Sequence, residues 1–403
     1  MKLTKIAILV LAYVSTVAYA GDNNVSTTNQ NGTGNTAYLQ QISTNNSSVV
    51  VNQNGTNNTT GNPSDTSSTG ITQQNSTNVA ATLTQTGTSN GATVVQNGDT
   101  STTVTISQAT LGNNAQASQF NSANGSITIN QVGSATEYNV ANSTQSNDNG
   151  SAATTTQSGG ANNAYISQGN LGGSTVSINQ NGFWNNGNVG QVGNTNTSFT
   201  VVQSGETNNA SGFQANNISS TASINQSGEN VNVANVNQTS NIGTTATINQ
   251  THAGSGGVGS NYGAIYQANT NNELATIAQN GLSNSASATQ VNADNSGFPF
   301  GNNFIKINQL GQGNEANSYQ TGPGGSIVVT QNGSWNVASS YQAGINDASI
   351  DQLGQGNNAD ITQTSYSANG NLQNTAYISQ TGNYNVAMAT QNGVDNHVRI
   401  VQK

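Results

Sequence analysis

Short segments of alternating hydrophobic and polar residues recur along most of the chain, and each ends in glutamine. In residues 375–380, Ala376 and Ile378 alternate with polar residues and Gln380 closes the segment. Because successive side chains of a strand point to opposite faces, these three residues share one face. Spacers rich in Gly and Asn follow, and both residue types tolerate the positive φ of tight turns. The pattern therefore predicts short strands joined by turns.

The closing glutamines recur at a nearly fixed interval. Steps of 11 or 12 residues dominate from Gln96 to Gln250, and the series resumes from Gln267 to Gln402. Two half-repeats alternate: a β-branched residue two places before Gln, as in 178–180, and Asn-x-Ala-x-x-x-Gln, as in 162–168. Strand, turn, strand and turn then form one coil of about 22 to 24 residues. We predict an all-β fold, a β-solenoid with two strands per coil and roughly 15 to 17 coils.

Stacked coils explain the choice of glutamine. Identical positions of neighbouring coils lie about 4.8 Å apart, so the solenoid would be an amyloid-forming cross-β structure. A side-chain amide can bond the amide above and the amide below. We predict that such amyloid ladders include Gln168, Gln180, Gln191, Gln203, Gln214, Gln226, Gln238, Gln250, Gln279, Gln290, Gln309, Gln320, Gln331, Gln342, Gln380 and Gln391.

Composition narrows the classes of protein further. Of 403 residues only 5% are charged, the net charge is −9, five residues are Lys or Arg, and Cys is absent. These values exclude a disulfide framework, a Cys-based metal site and an electrostatic nucleic-acid binder. A hydrophobic fraction of 32% is also too low for one compact core of this length. Stacking accounts for the missing charge, because a charged position would lie on its own kind in the next coil.

Residues 1–20 have the form of a secretory signal peptide. Lys2 and Lys5 precede a short apolar run over 6–14, and Ala18 and Ala20 provide the small residues of a cleavage site. We predict cleavage between Ala20 and Gly21. Residues 21–403 then form the mature solenoid, which contains no segment apolar enough to span a membrane.

The register of the repeat slips in four places. Near 54–70 we predict a degenerate coil or a looped-out segment, because Pro63 would remove a donor from a strand. Turn insertions are predicted near 251–260, 291–302 and 364–374. A solenoid tolerates such insertions because each coil contacts only its neighbours.

The repeat resembles the curlin repeat of bacterial curli fimbriae, whose pattern is Ser-x5-Gln-x-Gly-x-Gly-Asn-x-Ala-x3-Gln. Residues 326–342 follow it with one residue fewer after Ser326 and with Ser334 in place of the second Gly; residues 309–320 carry both glycines. The resemblance implies a secreted structural subunit that self-assembles into extracellular amyloid fibres at the bacterial surface, supporting biofilm matrix and cell adhesion. It also implies a curli-type secretion pore, accessory factors and a nucleating subunit as partners.

No residues suggest catalysis, a cofactor or a metal site, and we expect no enzyme activity and no nucleic-acid partner. His252 and His397 have no second His at ligand spacing and are expected to be solvated. Asp and Glu are isolated along the sequence, which argues against a glycosidase.

Two further hypotheses remain open. Arg399 and Lys403 place two cations in the last segment, as an end cap that blocks further pairing or as an anchor of a minor, nucleating subunit. Alternatively, the chain is a monomeric β-solenoid adhesin that binds glycans, with Trp184 and Trp335 at equivalent turn positions as stacking residues.

Overall fold

The computed structural model describes residues 13–19, 21–61, 70–229, 231–252, 259–292, 303–365 and 373–403, with the side chains described from residue 21 onward. The described residues form strands, bridges and turns and no helix. Two compact units, residues 1–171 and 172–403, are each a parallel β-solenoid. The chain makes about 15 coils in all, which confirms the predicted fold class.

The first unit contains fourteen strands. They are β1 (Tyr13–Tyr19), β2 (Val25–Thr33), β3 (Thr36–Ile42), β4 (Ser48–Thr56), β5 (Thr59–Thr60), β6 (Ile71–Gln74), β7 (Ala80–Thr88), β8 (Gly91–Asn97), β9 (Thr103–Leu111), β10 (Asn114–Phe120), β11 (Ser126–Gly133), β12 (Val140–Ser146), β13 (Ala152–Gly160) and β14 (Asn163–Gly169).

The second unit continues the series. Its strands are β15 (Thr175–Phe183), β16 (Asn186–Val192), β17 (Ser198–Glu206), β18 (Asn209–Ala215), β19 (Thr221–Glu229), β20 (Asn232–Thr239), β21 (Thr245–Thr251), β22 (Asn261–Ala268), β23 (Leu274–Leu282), β24 (Ser285–Val291), β25 (Phe304–Gln312), β26 (Glu315–Thr321), β27 (Gly325–Ser334), β28 (Val337–Ala343), β29 (Asn346–Gln355), β30 (Asn358–Thr364), β31 (Asn374–Asn383), β32 (Val386–Asn392) and β33 (His397–Gln402).

The strands of each unit form two parallel sheets. Successive strands alternate between the two sheets, except that β5 and β6 lie in the same one. Sheet A contains the strands of the Asn-x-Ala-x-x-x-Gln half-repeat, and sheet B contains those of the β-branched half-repeat. Neighbouring strands pair in the register of the repeat: Gln180 lies opposite Gln203 in sheet B, and Gln191 lies opposite Gln214 in sheet A.

A thin core lies between the inner faces of the two sheets. Val176 and Ile178 of β15 and Val189 of β16 are buried, whereas the residues between them face outward. Large and small residues compensate across the core: Gly187, in the Ala place, lies against the Ile178 side chain. The most pronounced exchange pairs Phe199 of β17 with Gly212 of β18, whose missing Cβ would overlap the phenyl ring.

Backbone crowding explains the glycine found two residues after most sheet B glutamines, although Thr110 and His252 take this place after Gln108 and Gln250. Gly333 has a φ of +130°, and a Cβ there would overlap the carbonyl oxygen of Gly354 in the next coil. Only glycine combines this φ with such close approach of two backbones. In sheet B, the Gln-x-Gly step therefore stands where the chain begins to leave the sheet.

The second coil has an interrupted strand. β5 and β6 both pair with β3: Thr60 lies opposite Ala37, and Ile71 lies opposite Leu39. The two segments thus follow one strand line, and the chain between them includes residues 62–69, which lie outside the described residues. Most of each predicted turn insertion, namely 253–258, 293–302 and 366–372, also lies outside the described residues. Of the predicted signal segment, residues 1–12 and 20 lie outside them, whereas residues 13–19 form β1, which pairs with β3.

Candidate functional site

A ladder of glutamines, buried except for the half-buried Gln30 and Gln402, runs through sheet B of each unit. In the first unit it links Gln30, Gln53, Gln85, Gln108, Gln131 and Gln157, with Nε2-to-Oε1 distances of 2.6 to 2.9 Å. In the second unit it links Gln180, Gln203, Gln226, Gln250, Gln279, Gln309, Gln331, Gln352, Gln380 and Gln402, at 2.8 to 2.9 Å. Each amide donates to the next amide along the chain.

Sheet A carries a second glutamine ladder. In the first unit it links Gln41, Gln73, Gln96, Gln119, Gln145 and Gln168 at 2.8 to 2.9 Å. In the second unit it links Gln191, Gln214, Gln238, Gln267, Gln290, Gln320, Gln342, Gln363 and Gln391 at 2.6 to 3.4 Å. Every glutamine predicted from the sequence thus has a ladder neighbour. Gln267, Gln352, Gln363 and Gln402 join them at the same register.

Many ladder glutamines also donate to backbone carbonyl groups of the turns and of the facing sheet. The Gln331 Nε2 donates to the carbonyl oxygens of Glu315 at 2.8 Å and Asn336 at 2.9 Å, as well as to the next glutamine. A buried amide with both polar atoms occupied avoids the free-energy cost of an unpaired polar group. The ladder therefore fixes the distance between the two sheets as well as the stacking of coils.

Asparagines form a third ladder at the corner that leads from sheet B to sheet A. The Asn336 Nδ2 donates to Asn314 Oδ1 at 3.1 Å, and the Asn336 backbone N–H donates to the same oxygen at 3.2 Å. The Asn357 side chain binds Asn336 in the same way. This residue follows most sheet B glutamines by five positions; Asn139, Asn232 and Asn261 take the place later in the chain, where the turn is longer.

The opposite corner carries a fourth polar ladder. The Asn217 backbone N–H donates to Asn194 Oδ1 at 2.8 Å, and the Asn194 Nδ2 donates to the Gln214 carbonyl at 2.8 Å. Asn241 continues the ladder by donating its backbone N–H to Asn217 Oδ1. Each asparagine here satisfies one donor and one acceptor of the next coil.

Two aspartates occupy this corner in the first unit. Asp99 Oδ1 accepts the Ser122 backbone N–H at 2.7 Å, and Asp148 Oδ1 accepts that of Leu171 at 2.9 Å. Both side chains are buried, and the second oxygen of each has no hydrogen-bond partner. Desolvation by burial raises the pKa of Asp99 and Asp148 to about 6, against a smaller lowering by the backbone hydrogen bonds. In the sequence these aspartates look like ordinary surface charges.

The turn aromatics pack against neighbouring coils. The Trp335 ring lies over Gly313, and the Tyr384 ring lies over Gly356, so a Cβ at either glycine would contact the ring. Trp184 occupies the same left-handed turn position, with a φ of 54°. In both places, a glycine and the aromatic residue one coil later therefore pack together.

The two histidines differ in environment. His397 is exposed, and its Nδ1 lies 2.6 Å from the Thr375 hydroxyl. The expectation that His252 is solvated is wrong: it is buried, and its backbone N–H donates to Ser227, which extends the strand pairing of sheet B. Within the described parts of the chain, no group of three or more His, Asp and Glu residues could hold a metal ion.

The last strand places its cation over an aromatic ring. The Arg399 guanidinium lies 5.7 Å from the centre of the Tyr377 ring on the outer face of sheet B, and Lys403 is exposed beyond it. At the other end, Ala20 lies outside the described residues, and Gly21 is exposed beside the Thr44 carbonyl. The described residues form no helix long and apolar enough to cross a membrane.

Comparison with known families supports the resemblance found in the sequence. Residues 373–403 match the family model of the curlin associated repeat, which supports assignment to the curlin-repeat family. A search of curated proteins finds no match. Curlin-repeat proteins are extracellular fimbrial subunits and are structural rather than catalytic.

Proposed function

We propose that the protein is a secreted structural subunit of curli-like extracellular amyloid fibres, which support biofilm matrix and cell adhesion. The observation that supports this proposal best is the stacking of identical positions: within each unit, every coil presents the next coil with the same row of backbone and amide groups. A second copy that offers such a row can pair with it, since an exposed strand edge is a template for another chain.

The proposal includes the route to the cell surface. Residues 1–20 are removed between Ala20 and Gly21, and the mature chain passes a curli-type secretion pore with accessory factors and a nucleating subunit. The protein acts without catalysis. Its mechanism is templated stacking end to end, in which the ladder amides set the register.

Assembly of the mature chain tests the proposal. Purified residues 21–403 should raise thioflavin fluorescence after a lag, and the product should diffract at about 4.8 Å along the fibre axis and about 10 Å between sheets. A mature chain that stays monomeric, without these reflections, would falsify the proposal.

A matched pair of substitutions tests the role of the ladder. Gln309 is buried and donates to Ser285, Asn314 and Gln331, whereas Gln312 of the same strand is exposed. Gln309→Glu removes the two N–H groups that serve these three acceptors and buries a carboxyl group, at a cost on the order of 3 kcal/mol or more. We expect it to delay assembly strongly. Gln312→Glu carries the same charge change and should assemble nearly as the parent; equal delays in both would count against the ladder.

The nucleating role is a second candidate, and the stacking of Arg399 on Tyr377 favours it because it places a cation on an exposed strand face. In a thioflavin time course, loss of residues 392–403 should then lengthen the lag of the mature chain. An end cap predicts the reverse, since its removal would expose an unprotected edge and shorten the lag.

A further inference from the structure

The outer face of sheet A in the second unit carries a line of exposed aromatic rings. Phe213, Tyr266, Tyr319 and Tyr341 each directly precede a ladder glutamine, and they are 36% to 43% exposed. The strand register places them in one column, which also contains Asn237 and Thr289. We call these four rings the aromatic column.

The rings of the column are regularly spaced. Phe213 and Tyr266 are separated by one intervening strand, and so are Tyr266 and Tyr319, which sets each pair about 9.6 Å apart along the solenoid. Tyr319 and Tyr341 lie on adjacent strands, with ring centres 5.3 Å apart and planes inclined by 4°. The column therefore has a period of two strands, with one additional ring at its end.

The first ring of the column lies across its neighbouring strand. A Cβ on Gly190 would lie 3.2 Å from Phe213 Cδ2, so the phenyl ring covers the outer face of that glycine. Phe213 is 43% exposed, so a large part of its side chain is open to solvent. Exposed ring faces of this kind stack on flat apolar surfaces, including the faces of sugar rings.

The surroundings of the column are polar but almost uncharged. Between the rings lie amide and hydroxyl side chains such as Asn237, Thr289 and Asn317. On the outward positions of the sheet A strands β18, β20, β22, β24, β26 and β28, Glu315 is the one charged residue, and it accepts a hydrogen bond from Asn317 at 3.1 Å. This combination suits a neutral ligand rich in hydroxyl groups rather than an anionic or an apolar one.

We propose that the aromatic column binds an extended, neutral polysaccharide of β-1,4-linked pyranose rings. In such a chain alternate sugars are turned over, so the same ring face recurs once per disaccharide, and the length of this repeat is close to two strand spacings. The hydroxyl groups can bond the amides between the aromatic rings. Dry packing against a second copy would instead bury those amides without assured partners, which costs free energy. This site lies beyond the fibre role and does not depend on it.

Binding of cello-oligosaccharides tests the proposal directly. We expect cellohexaose, measured by calorimetry, and microcrystalline cellulose, measured by co-sedimentation, to bind the mature chain; chitohexaose tests whether acetamido groups are accepted. Maltohexaose, whose α-1,4 linkage curves the chain, should bind far more weakly. Each of Tyr266→Ser, Tyr319→Ser and Tyr341→Ser should weaken cellohexaose binding roughly tenfold.

A matched control comes from the other unit. Tyr165 is also on the outer face of sheet A and is 42% exposed, as Tyr266 is, but it stands outside the column. Tyr165→Ser should leave binding unchanged, and cross-β diffraction of every variant shows whether fibres still form. The proposal is overturned if the parent chain does not bind cellohexaose, or if a triple variant that combines Tyr266→Ser, Tyr319→Ser and Tyr341→Ser binds as the parent does. It is also overturned if the triple variant loses only the lateral bundling of fibres.

Discussion

At the scale of single residues, the chemistry of this chain is the chemistry of stacked side chains. A residue whose side chain both donates and accepts can repeat indefinitely along a ladder, and Gln and Asn have both groups. A carboxylate accepts without donating, so it interrupts a ladder. Asp99 and Asp148 are two such interruptions. Where Asn194 donates to a backbone carbonyl, the second oxygen of each aspartate has no hydrogen-bond partner.

These two aspartates make the stability of the first unit depend on pH. Their pKa is about 6 in the folded chain and near 3.8 otherwise, so the folded state binds the protons more tightly. Their contribution to stability is full below pH 3.8 and is lost as the pH rises through 6. Asp99→Asn and Asp148→Asn remove the charge and restore the missing donor.

We expect each of these substitutions to stabilise the chain at pH 7 by on the order of 1 to 2 kcal/mol. This is less than the pKa difference implies, because solvent screens part of the charge. Denaturant unfolding at pH 7 and pH 4 measures it, and the gain should shrink at pH 4. Asp351→Asn, at an exposed position of β29, is the control. A gain of equal size at both pH values, or none at pH 7, would contradict this assignment.

The sequence predicted the glutamines but not these aspartates, for a physical reason. The fourteen ladder glutamines from Gln96 to Gln250 recur at a nearly steady step, so their period is visible in the sequence. A lone aspartate has no such period and resembles an ordinary surface charge. Its burial depends on its position, three residues after a sheet A glutamine, at a corner whose inward direction becomes visible only in the folded coil. His252 was misjudged similarly, because its glycine-rich surroundings suggested an exposed loop.

At the scale of strands, the core is filled locally: a large side chain of one sheet lies against a small residue of the facing sheet. Phe199 is fully buried in β17, where the neighbouring coils carry Val176 and Ala222, and Gly212 of β18 provides the space for its ring. Sequence alternation predicted which residues face inward. It did not predict that Phe199 faces Gly212. Which residues meet across the core depends on how far each strand is shifted along the solenoid axis, and alternation does not show this shift.

Filling the space beside Phe199 should be costly. We expect Gly212→Val to destabilise the chain by about 1 to 3 kcal/mol, because it overpacks the core. Phe199→Val in the same chain should recover most of the loss, and denaturant unfolding of the two single variants and the double variant measures the coupling. Gly169→Ala is the control, since its Cβ would meet nothing nearer than 3.9 Å. Additive losses in the double variant would contradict a direct contact.

The interrupted strand formed by β5 and β6 shows what the spacing of the glutamines cannot predict. The long step from Gln53 to Gln73 showed that residues had been added, but it did not show whether a turn or a strand had received them. Pairing of both Thr60 and Ile71 with β3 places the addition within the strand line. Two separate segments can pair with one strand, because each residue needs only a hydrogen-bond partner at the matching position of that strand.

At the scale of the whole molecule, the sequence period predicts the coil number, because each coil uses one pair of half-repeats. It did not predict the division between residues 171 and 172, since the repeat continues through Leu171 and Gly172 without a change in composition. The net charge of the chain also acts at the scale of the whole molecule. With a net charge of −9 and few cations, copies of the chain repel one another.

Assembly should therefore accelerate with ionic strength. Raising NaCl from roughly 10 mM to 500 mM shortens the screening length from about 30 Å to a few ångströms, so approaching copies repel less. We expect the thioflavin lag of the mature chain to shorten several-fold. Sodium sulfate at equal ionic strength is the comparison, because a purely screening effect gives similar lags in both salts. A lag that is constant or longer in high NaCl would contradict the role of charge repulsion.

The in-register pairing of coils has a consequence for inheritance. Gln180 and Gln203 are 23 residues apart, and each occupies the same surroundings as the other. Duplicating or deleting the DNA for one such step joins two surfaces that already fit, so no compensating change is needed elsewhere. Related genes should consequently differ by whole coils more often than by partial ones, and the number of coils becomes a heritable quantity that recombination can adjust in single steps.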